Sequence, residues 1–90
     1  MEVTVPEVSR FLGIVIRFNY RDHNPPHFHA EYNEWMACVS IAELQVIEGE
    51  LPRRVLTLVL EWAFDHRTEL MQDWDLASQK KPVKKIEPLI

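Results

Sequence analysis

Ninety residues, 47% of them apolar and 27% charged, make one soluble-type domain with a modest core and no room for a second. Two glycines exclude a glycine-rich phosphate loop, one cysteine excludes an internal disulfide, and no apolar run is long enough to span a bilayer. The net charge of −4 is uneven: Lys80, Lys81, Lys84 and Lys85 crowd near the C-terminus, while the remainder sets six arginines against fourteen acidic residues.

An acidic body argues against broad nucleic-acid binding, which needs many phosphate contacts. The lysines read as a solvated tail that complements a helix C-terminus. No repeat or flexible linker is visible. Met1 to Glu7 lack the basic and apolar regions of a secretion signal, and the lone Cys38 suits a reducing compartment, so the expected setting is the cytoplasm.

Gly13 to Tyr20 predicts a strand, since Ile14, Ile16, Phe18 and Tyr20 alternate with Val15, Arg17 and Asn19. Asp22 to Pro26 predicts a turn, because neither proline has an amide donor and Asn24 precedes a proline. His27 to Tyr32 follows as a strand, Asn33-Glu34 as a two-residue turn without the preferred glycine, and Trp35 to Ile41 as a third strand. Leu44 to Ile47 is a short fourth strand at most, and Glu48-Gly49-Glu50 breaks the chain. Pro52, well suited to a first helical position, opens one long helix to about Ser78, which Pro82 stops.

At 100° per residue the helix gathers Val55, Val59, Trp62, Ala63, His66, Leu70, Trp74 and Ala77 on one face, which should lie on the sheet. Arg54, Thr57, Glu61, Asp65, Thr68, Gln72 and Asp75 form the opposite, polar face. A second apolar stripe of Leu60, Phe64 and Met71 is expected under the segment Ile86 to Ile90, with a dimer or partner contact as the competing reading.

The stretch Asp22-His23-Asn24-Pro25-Pro26-His27-Phe28-His29-Ala30-Glu31-Tyr32 concentrates the chemistry. If Asn33-Glu34 is the turn, Tyr32 faces Trp35, Ala30 faces Ala37 and Phe28 faces Val39, which makes a core face. His27, His29 and Glu31 then share the other, open face, opposite Ser40, Cys38 and Met36. Three chemistries suit that face. His27 and His29 with Glu31, His23 or Asp22 match a zinc-type ligand set. The two histidines alone match an acid–base pair of the RNA-cleaving kind. Cys38 beside His29 suggests a thiol nucleophile. The plain alternative is that the rings hydrogen-bond the turn and cap a polar face.

His66 reads as a hydrogen-bonded core residue, with the histidine face on the opposite side of the sheet. Trp35, Trp62 and Trp74 read as core or core-edge residues. Arg53 and Arg54 stand in the first helical turn, where the dipole disfavours cations, so they call for ion pairs with Glu48 or Glu50, or else an anionic ligand.

Ser9-Arg10-Phe11-Leu12-Gly13-Ile14, the Asp22-His23-Asn24-Pro25-Pro26-His27-Phe28-His29-Ala30 run, Gly49-Glu50-Leu51-Pro52-Arg53-Arg54 and Lys84-Lys85-Ile86-Glu87-Pro88-Leu89 carry a resemblance over nearly the whole chain. It resembles the small bacterial domain-of-unknown-function family numbered four thousand one hundred and sixty. Asn33-Glu34 departs from the glycine-containing turn of that family, and Cys38 lies outside its motif. The family has no established activity. Its members are typically encoded beside another small domain, an arrangement similar to a toxin–antitoxin operon. The resemblance thus implies one half of a two-protein module, with a small protein partner.

The expected fold is α+β: a three- or four-stranded antiparallel meander over about residues 10–48, one long helix over about 52–78, and a basic segment 79–90. The leading functional expectation is a component of a toxin–antitoxin-like module whose His23, His27 and His29 do the chemistry on a phosphate-containing ligand such as RNA. Asp22, Arg53 and Arg54 would be secondary binding residues. The alternatives are a zinc-type metal site of His27, His29 and Glu31 serving a hydrolase, and a module of interaction alone. A homodimer is a further expectation.

Overall fold

A computed structural model describes residues 6–90. Most of the stretch read above for a secretion signal lies outside them. Five strands form one antiparallel meander in chain order: β1 (Glu7–Phe11), β2 (Ile14–Arg17), β3 (His27–Tyr32), β4 (Trp35–Ser40) and β5 (Val46–Glu50). Two helices follow, α1 (Arg53–Asp65) and α2 (Arg67–Ser78). The fold class is the expected α+β, but the sheet has more strands and the helix is in two pieces.

The missed strand is β1. Its turn to β2 is Leu12-Gly13, both at positive φ, 52° and 81°. That is the requirement of a tight hairpin whose twist matches its strands. β2 ends at Arg17, three residues short of expectation, because the chain then leaves the ladder for the loop that carries Asp22. β5 also differs. Glu48-Gly49-Glu50 does not break the chain but lies within the strand, since Gly49 at φ 76° lets it bend. A Cβ there would stand 2.2 Å from the Met36 carbonyl oxygen, so only glycine fits. Cys38 faces Glu48 while Val39 faces Val46, which leaves Ile47 as the extra residue of a bulge.

The central register is as read. Tyr32 pairs Trp35, Ala30 pairs Ala37, Phe28 pairs Val39, and His29 pairs Cys38. Asn33 takes φ 53° in place of a turn glycine, a conformation asparagine tolerates better than most residues.

The helices cover the face formed by Ile14, Ile16, Phe28, Ala30, Ala37 and Val39. Val55, Val59, Trp62 and Ala63 from α1, and Leu70, Trp74 and Ala77 from α2, are buried as the helical spacing predicts. Every residue of the predicted polar face is exposed. Trp62 is the centre, tilted against Phe11 at 5.4 Å and edge-on to Phe28 at 6.2 Å.

The helix breaks at His66, which ends α1 and begins α2 at φ −123°. Its amide donates to the Ala63 carbonyl and its carbonyl accepts from the Leu70 amide. Its ring is half-buried on Trp62, and Nδ1 pairs with Glu69 in the first turn of α2 at 2.5 Å. An acidic side chain suits that position. His66 is hydrogen-bonded, as expected, but at a joint rather than within a helix.

The C-terminal segment does return over the sheet, only not as expected. Ile86 is buried, its amide donates to the Val8 carbonyl, and the Trp62 indole donates to the Glu87 carbonyl. Leu60 and Met71 are half-buried, but Phe64 stays 68% exposed, its ring under the Arg67 guanidinium at 5.7 Å.

Candidate metal centre

Alternation along β2, β3 and β4 places Arg17, His29 and Cys38 side by side on the face away from the helical core, and β5 adds Glu48 to the row. This face was expected to be open. His27 and His29 are instead only 8% and 6% exposed, because the 18–26 loop folds over them and α2 reaches round. The Trp74 ring lies 5.3 Å from the His27 ring. The expected separation between helix and histidines therefore does not hold at this end of the sheet.

Asp22 is the pivot. Its Oδ2 stands 2.8 Å from His29 Nε2 and 3.3 Å from His27 Nε2. Two side chains two apart on one strand share a face, and the loop delivers the carboxylate onto both.

The surrounding hydrogen bonds fix the proton of the His27 ring and set two demands against each other at His29. His27 Nδ1 lies 2.8 Å from the Pro25 carbonyl oxygen, which only accepts, so Nδ1 donates. In the neutral ring Nε2 is then a bare lone pair. At His29 two partners meet the same Nε2, the Asp22 carboxylate at 2.8 Å, which accepts, and the Asn19 amide at 3.2 Å. Arg17 donates to Asn19 Oδ1 at 2.6 Å, which turns the Asn19 amide nitrogen toward His29 Nε2 at 3.2 Å. That amide suits a bare Nε2, whereas the nearer Asp22 oxygen calls for a proton or a cation on it. Nδ1 lies 3.4 Å from the Cys38 sulfur and donates to it when Nε2 is bare, and the thiol also reaches the Met36 sulfur at 4.0 Å. Burial, with the Glu48 and Asp22 charges behind it, pushes the Cys38 thiol up, so the sulfur keeps its hydrogen.

The Pro25 carbonyl thus calls for a bare Nε2 on His27 and the Asn19 amide for one on His29, and both Nε2 atoms face the same carboxylate oxygen. Three lone-pair acceptors in so small a space repel one another unless protons or a cation lie among them. Ligands about 2.0–2.1 Å from a tetrahedral ion lie roughly 3.3 Å apart, the spacing of His27 Nε2 and Asp22 Oδ2, while His29 Nε2 stands closer, at the 2.8 Å of a hydrogen bond. A ring Nδ1–H donating to a backbone carbonyl, as His27 does, is also how metal-bound histidines are usually held.

Cys38 has a sulfur within 4.8 Å of nitrogens on both rings. It faces His29 Nδ1, however, and not the Nε2 side where Asp22 is, so it supports the ring rather than completing the set. The protonated thiol also lacks the character of a nucleophile.

The remaining candidates do not join the cluster. Glu31, expected as a metal ligand, accepts from Arg17 at 2.8 and 2.9 Å instead, since Arg17 sits beside it on the same face. His23 is exposed in the loop, with no hydrogen bond or ion pair among the described residues. Arg53 and Arg54 are exposed at the start of α1, and among the described residues neither is ion-paired, with Glu48 and Glu50 or otherwise. Asn19 and Arg17 are the residues the sequence reading passed over. Arg17 follows from β2 alternation beside His29, whereas Asn19 lies past the end of β2 and joins through the loop.

Next to the cluster, Glu7, Arg10, Val15, Arg17, Asn19 and Glu31 line an open depression of about 440 Å³. Its charges are matched in pairs, Arg10 with Glu7 and Arg17 with Glu31. The depression therefore has no net attraction for a phosphate.

The family model of the domain of unknown function DUF4160 matches residues 13–75. That span takes in Asn19, Asp22, His27, His29 and Cys38, and leaves out β1 and the C-terminal segment. No curated protein and no solved structure matches the chain.

Proposed function

The chain belongs to the DUF4160 family, a domain of unknown function, and from its own residues we propose that it is a metal-binding protein centred on Asp22, His27 and His29. The observation that carries this is the convergence of two Nε2 atoms on one carboxylate oxygen, at 2.8 and 3.3 Å. Nitrogen and carboxylate oxygen ligands together suit zinc and its neighbours in the first transition row. Three protein ligands leave a fourth position for water, the pattern of zinc sites that activate water for hydrolysis. The reaction class that follows is metal-assisted hydrolysis.

Metal-free acid–base cleavage of RNA is less well supported. The oxygen that both rings address belongs to Asp22, and its negative charge occupies the place a phosphate oxygen would need. The balanced depression next to it adds no cationic pull.

The test is a titration of chelator-treated protein with Zn²⁺ or Co²⁺, followed by calorimetry and, for Co²⁺, visible absorption. One ion should bind per chain, with affinity falling as the solution is acidified, because metal ligands must be deprotonated. His27→Ala, His29→Ala and Asp22→Ala should each abolish binding. A wild-type protein that takes up neither ion, while remaining folded, sinks the proposal. Growth arrest on expression that needs both histidines but no metal would restore the acid–base reading.

A further inference from the structure

The two edges of the sheet are finished differently. At β1 the chain covers its own edge: the Ile86 amide donates to Val8, and Lys85 Nζ donates to the Glu7 carbonyl, both at 2.8 Å. At β5 nothing among the described residues pairs the outer backbone. All five of its residues are exposed, and Val46 and Ile47 leave 36% and 46% of their surface in water. A bare strand edge is a template for another strand.

What that strand is follows from charge. Residues 33–52, which run from the turn before β4 to the end of β5, hold Glu34, Glu43, Glu48 and Glu50 and no lysine or arginine. Glu48 and Glu50 face the same side, opposite Cys38 and Met36. A second copy pairing β5 with β5 in antiparallel fashion sets these glutamates against one another or against the partner's bulge, and like charges directly opposite are destabilising. The same row of carboxylates attracts a strand with lysine or arginine at alternate positions and apolar residues between them. Arg53 and Arg54 come only after Pro52, on α1, and do not interrupt the row.

We infer that the outer edge of β5 is a docking site for an extended, basic strand of a different protein, added as a sixth strand. Main-chain hydrogen bonds supply the affinity, the glutamates supply the selection, and Val46 with Ile47 supplies apolar contact. This surface uses none of the three proposed ligands, and since Glu48 stands opposite Cys38, Glu50→Lys alone serves as the variant that leaves the histidine face untouched.

Two end-blocked hexapeptides test it, one alternating valine with lysine and the other valine with glutamate. Each is added to isotope-labelled protein, with binding read from chemical shifts and amide hydrogen exchange. The lysine peptide should slow exchange in β5 and bind at least tenfold tighter than the glutamate peptide at low salt. The preference should shrink in high salt, where such charges are screened. Glu48→Lys with Glu50→Lys, both at exposed positions, should reverse it, with circular dichroism confirming the fold. Equal binding of the two peptides, protection outside β5, or no binding of either overturns the inference. So does a dimer in sedimentation whose interface is β5.

Discussion

Neighbouring residues of β3 point to two buried worlds. Phe28 and Ala30 turn toward the helices and vanish among side chains that ask nothing of them but shape. His27 and His29 turn the other way, are almost as well hidden, and bring polar atoms that must each find a partner. The first face is satisfied by area alone. The second is satisfied only by a complete set of hydrogen bonds, and both rings turn on the one carboxylate of Asp22. Burial of equal depth can therefore mean shape alone on one side of a strand and a demand for exact polar partners on the other.

The sharpest way to break this contrast is Phe28→Ala. It removes a ring that meets Trp62 edge-on, and emptying such a site costs about 3–5 kcal/mol. That is a large part of what a domain of this size has, so urea unfolding should show a marginal or unfolded protein. A loss below about 1 kcal/mol would mean that the helical face does not carry the fold.

On the other face the expected loss is of binding rather than of shape. Cys38→Ser separates ligand from support. As a support for His29 its change should lower Zn²⁺ affinity by about 10–100-fold, whereas a true ligand would remove binding as His29→Ala does. In wild type, iodoacetamide should modify the thiol slowly at neutral pH and faster only in more alkaline solution, as its raised pKa requires.

Gly49→Ala probes the strand that ends the sheet. Both the positive φ and the 2.2 Å approach to the Met36 oxygen forbid a side chain. The cost should exceed about 1 kcal/mol, and faster amide exchange should appear first in β5.

The smallest effect is expected at Asp73, a buried carboxylate whose one oxygen accepts from the Lys84 amide while the other is unpartnered. Burial raises its pKa, against the Lys84 hydrogen bond and charge, which lower it. The folded state therefore binds the proton more tightly than the unfolded chain. Stability from this group is complete below the ordinary carboxyl range and is lost as pH rises through the folded pKa. Asp73→Asn imitates the protonated form. It should raise the thermal midpoint at neutral pH and lose that advantage in acid. An advantage that does not change with pH would deny the linkage.

Much of this was legible in the sequence, for reasons that differ by element. The β3–β4 register could be read because a period of two leaves only one pairing that hides Phe28, Ala30 and Val39 together. The break at His66 could not, because Val55, Val59, Trp62, Leu70, Trp74 and Ala77 keep their helical spacing straight through it. Asp73 sits at that same spacing, three after Leu70, and was overlooked because a carboxylate is seldom placed in a core. At the candidate site the two histidines were found by composition. Of the companions offered with them, Glu31, His23 and Asp22, only Asp22 arrives. Asp22 joins them through the path of a loop, Glu31 is drawn off by Arg17, and Asn19 matters only once its amide is turned by that arginine.

The Trp62 indole gives the molecule an internal lamp. Its N–H is held by the Glu87 carbonyl, so the last stretch of chain touches the ring at the centre of the core. If the C-terminal segment lifts, water reaches that indole and its emission shifts to the red, which turns the docking of a dozen residues into a colour that can be watched in real time.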